Sequence, residues 1–142
     1  MIWAAIVVSQ GLIGVPEAVR PQLDATCAAW RLAPVIPEIA AEIAVRTPTW
    51  PPNLLPGDFN ADRETDVAVL IECGGTVHLL AFLSGPSGFT RHALEEPLPY
   101  DARQFLHLIR QDYGRDAIGV EYEAVGGHAW LYRDGRWQSV RR

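Results

Sequence analysis

The hydrophobic positions of this chain follow two different periods. Around residues 36–46 the apolar residues Ile36, Ile39 and Ile43 recur every three or four positions, with Pro37 and Glu38 in the first turn and Arg46 in the last, which predicts a short helix over 37–46. Thr47-Pro48 ends it, and Trp50-Pro51-Pro52 reads as an extended approach to the segment that follows. From Val67 onward the spacing is that of strands. Val67-Ala68-Val69-Leu70-Ile71 is a continuous apolar run, as in a strand covered on both faces, and Gly74-Gly75 predicts a turn into a second strand, Thr76–Leu83. Ser84-Gly85-Pro86-Ser87-Gly88 predicts the next turn, after which Phe89–Leu94 can pair back as a shorter edge strand. Phe105–Ile109 is assigned as a strand, because the run before Tyr113-Gly114 is too short for a typical helix. Ile118, Val120, Tyr122 and Ala124 alternate with Gly119, Glu121 and Glu123, the pattern of a strand wet on one face. Asp134-Gly135 suits a two-residue hairpin turn that sets Tyr132 opposite Trp137 and Trp130 opposite Ser139. The expected class is α+β and mainly antiparallel β: one small sheet of meander hairpins with one N-terminal helix.

The remaining N-terminal residues divide the chain into 1–18, read as an export signal or a first strand, and 19–142, a single β-rich domain. Met1–Val8 and Gly11-Leu12-Ile13-Gly14 resemble the apolar part of an export signal, although no Lys or Arg precedes them. The chain has 142 residues, enough for one core, with 49% hydrophobic and 20% charged residues, so it is not disordered. No apolar run reaches the ~20 residues of a transmembrane segment. The net charge of −5 comes without a basic stripe, which argues against a nucleic-acid partner. Cys27 and Cys73 are too few for a paired-cysteine zinc site and suffice for one disulfide, which would suit a periplasmic or secreted location.

Chemistry concentrates between Gly57 and Val69, where the sequence reads Gly-Asp-Phe-Asn-Ala-Asp-Arg-Glu-Thr-Asp-Val-Ala-Val. Asp58, Asn60, Asp62 and Asp66 fall at positions one, three, five and nine of a loop leading into a strand, and the carbonyl of Glu64 falls at position seven. Calcium requires six to eight oxygens, which alternate residues of a tightly turned loop can supply; magnesium, with its rigid octahedron, suits such a cage less well. These residues resemble the calcium loop of FG-GAP/VCBS repeats, over about fourteen of the 142 positions. The resemblance implies calcium as the bound ion and an exported protein. Glycine is common in that family where this chain has Ala61 and Arg63. The twelfth position is Val69, not the bidentate glutamate of an EF-hand, and a single copy excludes a full propeller of repeated blades. The order of Trp30-Arg31-Leu32-Ala33-Pro34, loop and final aromatic hairpin is similar to that of exported bacterial proteins carrying one such loop, a likeness that implies no activity.

Other polar residues give weaker signals. His78, His92, His107 and His128 have no i, i+4 partner that would mark a zinc enzyme, Gly85-Pro86-Ser87-Gly88 lacks the spacing of a nucleophile elbow, and Glu95-Glu96 sits in a proline-bounded segment. Cys73 could act as a nucleophile only beside an activating histidine. Trp130, Tyr132 and Trp137 share one face of the last hairpin, where they could bind a sugar or peptide or join the core, while Arg133, Arg136 and Gln138 mark the wet face. The expected function is a non-enzymatic exported domain with a structural calcium-type loop that binds a macromolecule. The competing expectation is a small cell-envelope hydrolase using a histidine and acidic residues.

Overall fold

The computed structural model describes residues 14–110, 115–122 and 126–141. Its elements run α1 (Arg20–Thr26), β1 (Arg31–Leu32), α2 (Pro37–Arg46), β2 (Leu54–Gly57), β3 (Asp66–Cys73), β4 (Thr76–Gly85), β5 (Gly88–Ala93), β6 (Leu98–Pro99), β7 (Gln104–Arg110), β8 (Asp116–Tyr122), β9 (Gly126–Arg133) and β10 (Arg136–Arg141). Every strand pair is antiparallel. There are two sheets, not the one that the meander pattern predicted. The first has the order β1-β3-β4-β5, with β2 following β1 along the same edge of β3 and β6 sharing the outer side of β4 with β5; the second is β10-β9-β8-β7. The break falls at Pro97-Leu98-Pro99, where two residues have no N–H to donate and the chain leaves the first sheet after the short β6.

Strand β3 occupies the centre of the first sheet, and its parity separates two cores. Val67, Val69 and Ile71 join Leu54, Leu80 and Phe82 against Val15, Val19 and Leu23 beneath the sheet. Ala68 and Leu70 join Leu55, Leu79 and Ala81 on the opposite face, where Leu106, Ile118 and Val120 of the second sheet meet them. The uninterrupted apolar run Val67–Ile71 is thus buried on both faces, as expected.

Helix α2 forms where the isoleucine spacing placed it, with Ile39 buried. Helix α1 was not anticipated. Beneath the first sheet, where all three lie, its buried Leu23 continues the four-residue spacing of Val15 and Val19, which precede the helix. Cys27 caps its end and is joined to Cys73 at the end of β3, with Cα atoms 6.4 Å apart across 46 residues. A bridge closing a loop of that length contributes on the order of 4 kcal/mol by the chain-entropy estimate. Beside it, Arg31 holds the Glu72 carboxyl below its ordinary range through a 2.8 Å hydrogen bond. Among the described residues no helix is long and apolar enough to cross a membrane. Residues 1–13, and with them most of the signal-like segment, lie outside the described residues, as do Tyr113-Gly114 and residues 123–125.

The two sheets are joined through Asn53, which is 2% exposed and left-handed at φ 67°. Its Nδ2 donates to the Ala33 carbonyl at 2.6 Å, its Oδ1 accepts from the Leu106 N–H at 3.0 Å, and its carbonyl accepts from the Leu70 N–H at 3.0 Å. Asparagine tolerates this backbone conformation better than most residues, and its amide supplies both a donor and an acceptor. Asn53→Ala leaves the Ala33 carbonyl and the Leu106 N–H buried without partners, for an expected loss of about 3 kcal/mol in urea-induced unfolding. Asn53→Asp, which keeps only the acceptor, should also be destabilised; a wild-type midpoint for both variants would refute this role.

Candidate metal centre

The acidic loop occupies the turn between β2 and β3 and is held at both ends. At its start Asp58 N–H donates to Asp116 Oδ2 at 2.9 Å, and Asp116 N–H donates to the Asp58 carbonyl at 2.8 Å, tying the loop to the first residue of β8. At its end Asp66, fully buried at the first position of β3, accepts from Phe59 N–H at 2.9 Å, Ser84 N–H at 2.9 Å and Ser84 Oγ at 3.2 Å. Between them Phe59 turns inward and is fully buried, its ring 6.2 Å from that of Trp137. Gly57 is required for this turn, because a Cβ there would lie 2.7 Å from the Phe59 ring.

These anchors gather the carboxylates. One oxygen from each of Asp58, Asp62 and Asp66 lies within 4.8 Å of the others, a spread that fits one sphere of calcium–oxygen bonds of roughly 2.4 Å, so the three could hold a metal ion. The inward atom of the Asn60 amide lies 3.1 Å from Asp58 Oδ1, 2.9 Å from Asp62 Oδ1 and 3.3 Å from Asp66 Oδ2. With no cation that atom must be the nitrogen, donating to all three; with a cation, the oxygen can turn in as a fourth ligand. Backbone donors orient the same carboxylates: Asp62 and Arg63 N–H donate to Asp58, and Glu64 N–H donates to Asp62 at 2.9 Å. The Glu64 side chain is exposed and stands outside the acidic group.

Burial pushes the Asp66 carboxyl above its ordinary value of 3.8; the hydrogen bonds from Ser84 and Phe59 oppose the rise, and the charge of Asp62 adds to it. The folded chain therefore holds this proton more tightly than the unfolded chain does. The stability it contributes is present below pH 3.8 and is lost as pH rises through the raised value.

The positions where the resembling family commonly has glycine are both left-handed here, with Ala61 at φ 61° and Arg63 at φ 68°. The remaining candidates are dispersed. Trp130, Tyr132 and Trp137 pack as half-buried rings against the core shared by the two sheets, with the Tyr132 and Trp137 rings 5.2 Å apart. His107 Nε2 meets Glu121 Oε1 at 2.8 Å, while His128 and Trp130 both meet Glu95 Oε1, the latter at 2.9 Å. His92 lies against the Tyr132 and Trp137 rings, and burial lowers its affinity for a proton. Cys73 is taken up by the disulfide and is no nucleophile. Sequence reasoning missed Asp116 and Ser84, which complete the loop from β8 and β4; their separations of 58 and 18 residues from their partners left no local signal. No family model matches this chain, and no curated protein or solved structure matches it.

A left-handed backbone costs an L-residue roughly 1–2 kcal/mol, part of which glycine's greater unfolded-state freedom offsets. Arg63→Gly should therefore raise the free energy of unfolding in chelator by about 1 kcal/mol, read from urea denaturation. A decrease would show that the arginine side chain stabilises the turn.

Proposed function

We propose that this chain is an exported, non-enzymatic binding domain whose β2–β3 turn is stiffened by calcium. The observation that carries the reading is the convergence of Asp58, Asp62 and Asp66 with the Asn60 amide at the entrance to the central strand. Calcium would neutralise three carboxylates, draw in the Asn60 oxygen and fix the register of β3 against β2 and β4. The Glu64 carbonyl, at the seventh position, and water would complete its shell. The role of the ion is structural, and the work of the domain is recognition of a macromolecule by the surface so held. The Cys27–Cys73 disulfide supports an oxidising compartment outside the cytoplasm.

Calcium titration followed by thermal unfolding tests this reading. A ligand bound only to the folded state stabilises it by about 2.7 kcal/mol at a hundredfold excess over Kd, so the melting temperature must rise with calcium and fall again in chelator. Asp62→Ala is the cleanest control, because this exposed residue, unlike Asp66, holds no other strand and accepts only from the Glu64 N–H and, without a cation, from the Asn60 amide. Asp58→Ala and Asp66→Ala should also abolish the response, from a lower starting stability. An unchanged melting temperature at millimolar calcium would remove the metal from the account.

A second reading, a small envelope hydrolase, draws on the His107–Glu121 pair beside a groove that also holds Glu42. The imidazole lies across β8 where only glycine leaves room: a Cβ on Gly119 would be 2.2 Å from His107 Nε2. As a general base it would activate water for ester or amide cleavage. That reading expects turnover of model esters that disappears in His107→Gln; equal rates in both proteins would exclude it.

A further inference from the structure

The second sheet has two edges, and they are built differently. Strand β10 exposes Arg136, Gln138 and Arg141 along its length, the kind of charged and polar edge that discourages further pairing. Strand β7, Gln104-Phe105-Leu106-His107-Leu108-Ile109-Arg110, is apolar apart from its ends and His107, has no proline, and among the described strands pairs only with β8. Its hydrogen-bonding parity can be read from two contacts. Gln104 N–H donates to the Asp101 carbonyl and Leu106 N–H donates to Asn53 Oδ1, so both point away from β8. In an antiparallel pair this direction alternates by two, so the N–H and C=O groups of Leu108 and Arg110 also point to the open side. Asn53 fills the first place along that edge as a substitute for a strand. No described residue fills the next two.

The open side is a groove. It has a volume of about 310 Å³ and runs between β7 and the C-terminal half of α2, with Ile43, Trp50, Leu54, Phe105 and Leu108 as its apolar lining. Trp50, Leu108 and Arg110 continue it into a second hollow that ends at the acidic loop, beside Asp58 and Arg63. Arg110 stands at the junction with its side chain 79% exposed, 3.9 Å from a carboxylate oxygen of Asp116. A strand edge facing a helix across an apolar cleft is the arrangement in which a peptide is recognised by added-strand pairing: the backbone supplies affinity and alternate side chains enter pockets.

We propose that the β7–α2 groove binds an extended peptide segment of a partner protein, which adds to β7 as a fifth strand. Its backbone pairs with Leu108 and Arg110, one apolar side chain lies between Trp50 and Phe105, and an acidic residue meets Arg110. The charge on Arg110 and the two-residue spacing of the free backbone groups select this occupant over a sugar or a lipid, neither of which presents alternating donors and acceptors. The proposal rests on the binding-domain reading above and names the partner class of that domain.

The test uses the full chain, with and without calcium, and a blocked peptide of alternating valine and threonine carrying a central leucine followed by aspartate. Calorimetric titration should give saturable binding, and the amide resonances of Leu108 and Arg110 should shift. The same peptide N-methylated on the strand-pairing edge should bind about tenfold more weakly or worse, since the methyl groups remove the donors and block the approach to β7. Arg110→Glu should weaken the aspartate peptide and spare its lysine counterpart. Leu108→Pro removes only an outward N–H and should abolish binding; if that variant does not fold, the N-methylated peptide decides. Equal affinity for the parent and N-methylated peptides, or shifts confined to other strands, would overturn the proposal. Loss of the calcium response with peptide binding intact would overturn only the metal reading, and the converse would overturn only the groove.

Discussion

The fold depends on one buried amide. Asn53 reaches the backbone of three separate segments, at Ala33, Leu70 and Leu106, and these belong to both sheets. Apolar contact between Leu55, Leu70, Leu106 and Ile118 supplies most of the attraction across the interface, but such contact is non-directional and fixes no register. Hydrogen bonds in a dry interior do fix it, because a shift of one residue would leave the Ala33 carbonyl and the Leu106 N–H without partners. Asn53 thereby sets where β7 lies relative to β2.

The acidic loop is a second junction of the same kind. Asp66 collects N–H groups from its own loop and from Ser84 at the far end of β4, while Asp58 and Asp116 exchange bonds between the loop and β8. The first junction is neutral, with its amide both donating and accepting, whereas the second concentrates carboxylates around a buried one. That contrast gives the two ends of β2 different characters. Buried hydrogen bonds hold the Asn53 end; gathered carboxylates mark the acidic end. The edge groove between β7 and α2 lies alongside both, bounded by Asn53 and continuing to Asp58.

The aromatic residues of the last hairpin have a structural role. Trp137 meets the Phe59 ring at a tilt and the Tyr132 ring edge-on, and Phe59 is the inward residue of the acidic loop, so the terminal hairpin packs against the loop's inner side. This use of Trp137 follows from the wet arginines on the opposite face, which leave only the inner face free for apolar contact.

Local pattern was enough to recognise helix α2, the hairpins at Gly74-Gly75 and Asp134-Gly135, the pairing of Tyr132 with Trp137, and the buried run Val67–Ile71, because each follows from period, turn chemistry and cross-strand register within a few residues. The clustering of Asp58, Asp62 and Asp66 was likewise legible, since alternate positions of a tight loop point inward. The tertiary structure decided what depends on residues far apart in the chain: that the strands divide into two sheets, that Val15, Val19 and Leu23 line the underside of the first, and that Asn53, Ser84 and Asp116 serve as junctions. It alone also decided which strands form the edges of the second sheet among the described residues. No period in the sequence carries that information, because an edge is defined by the strand that is not beside it.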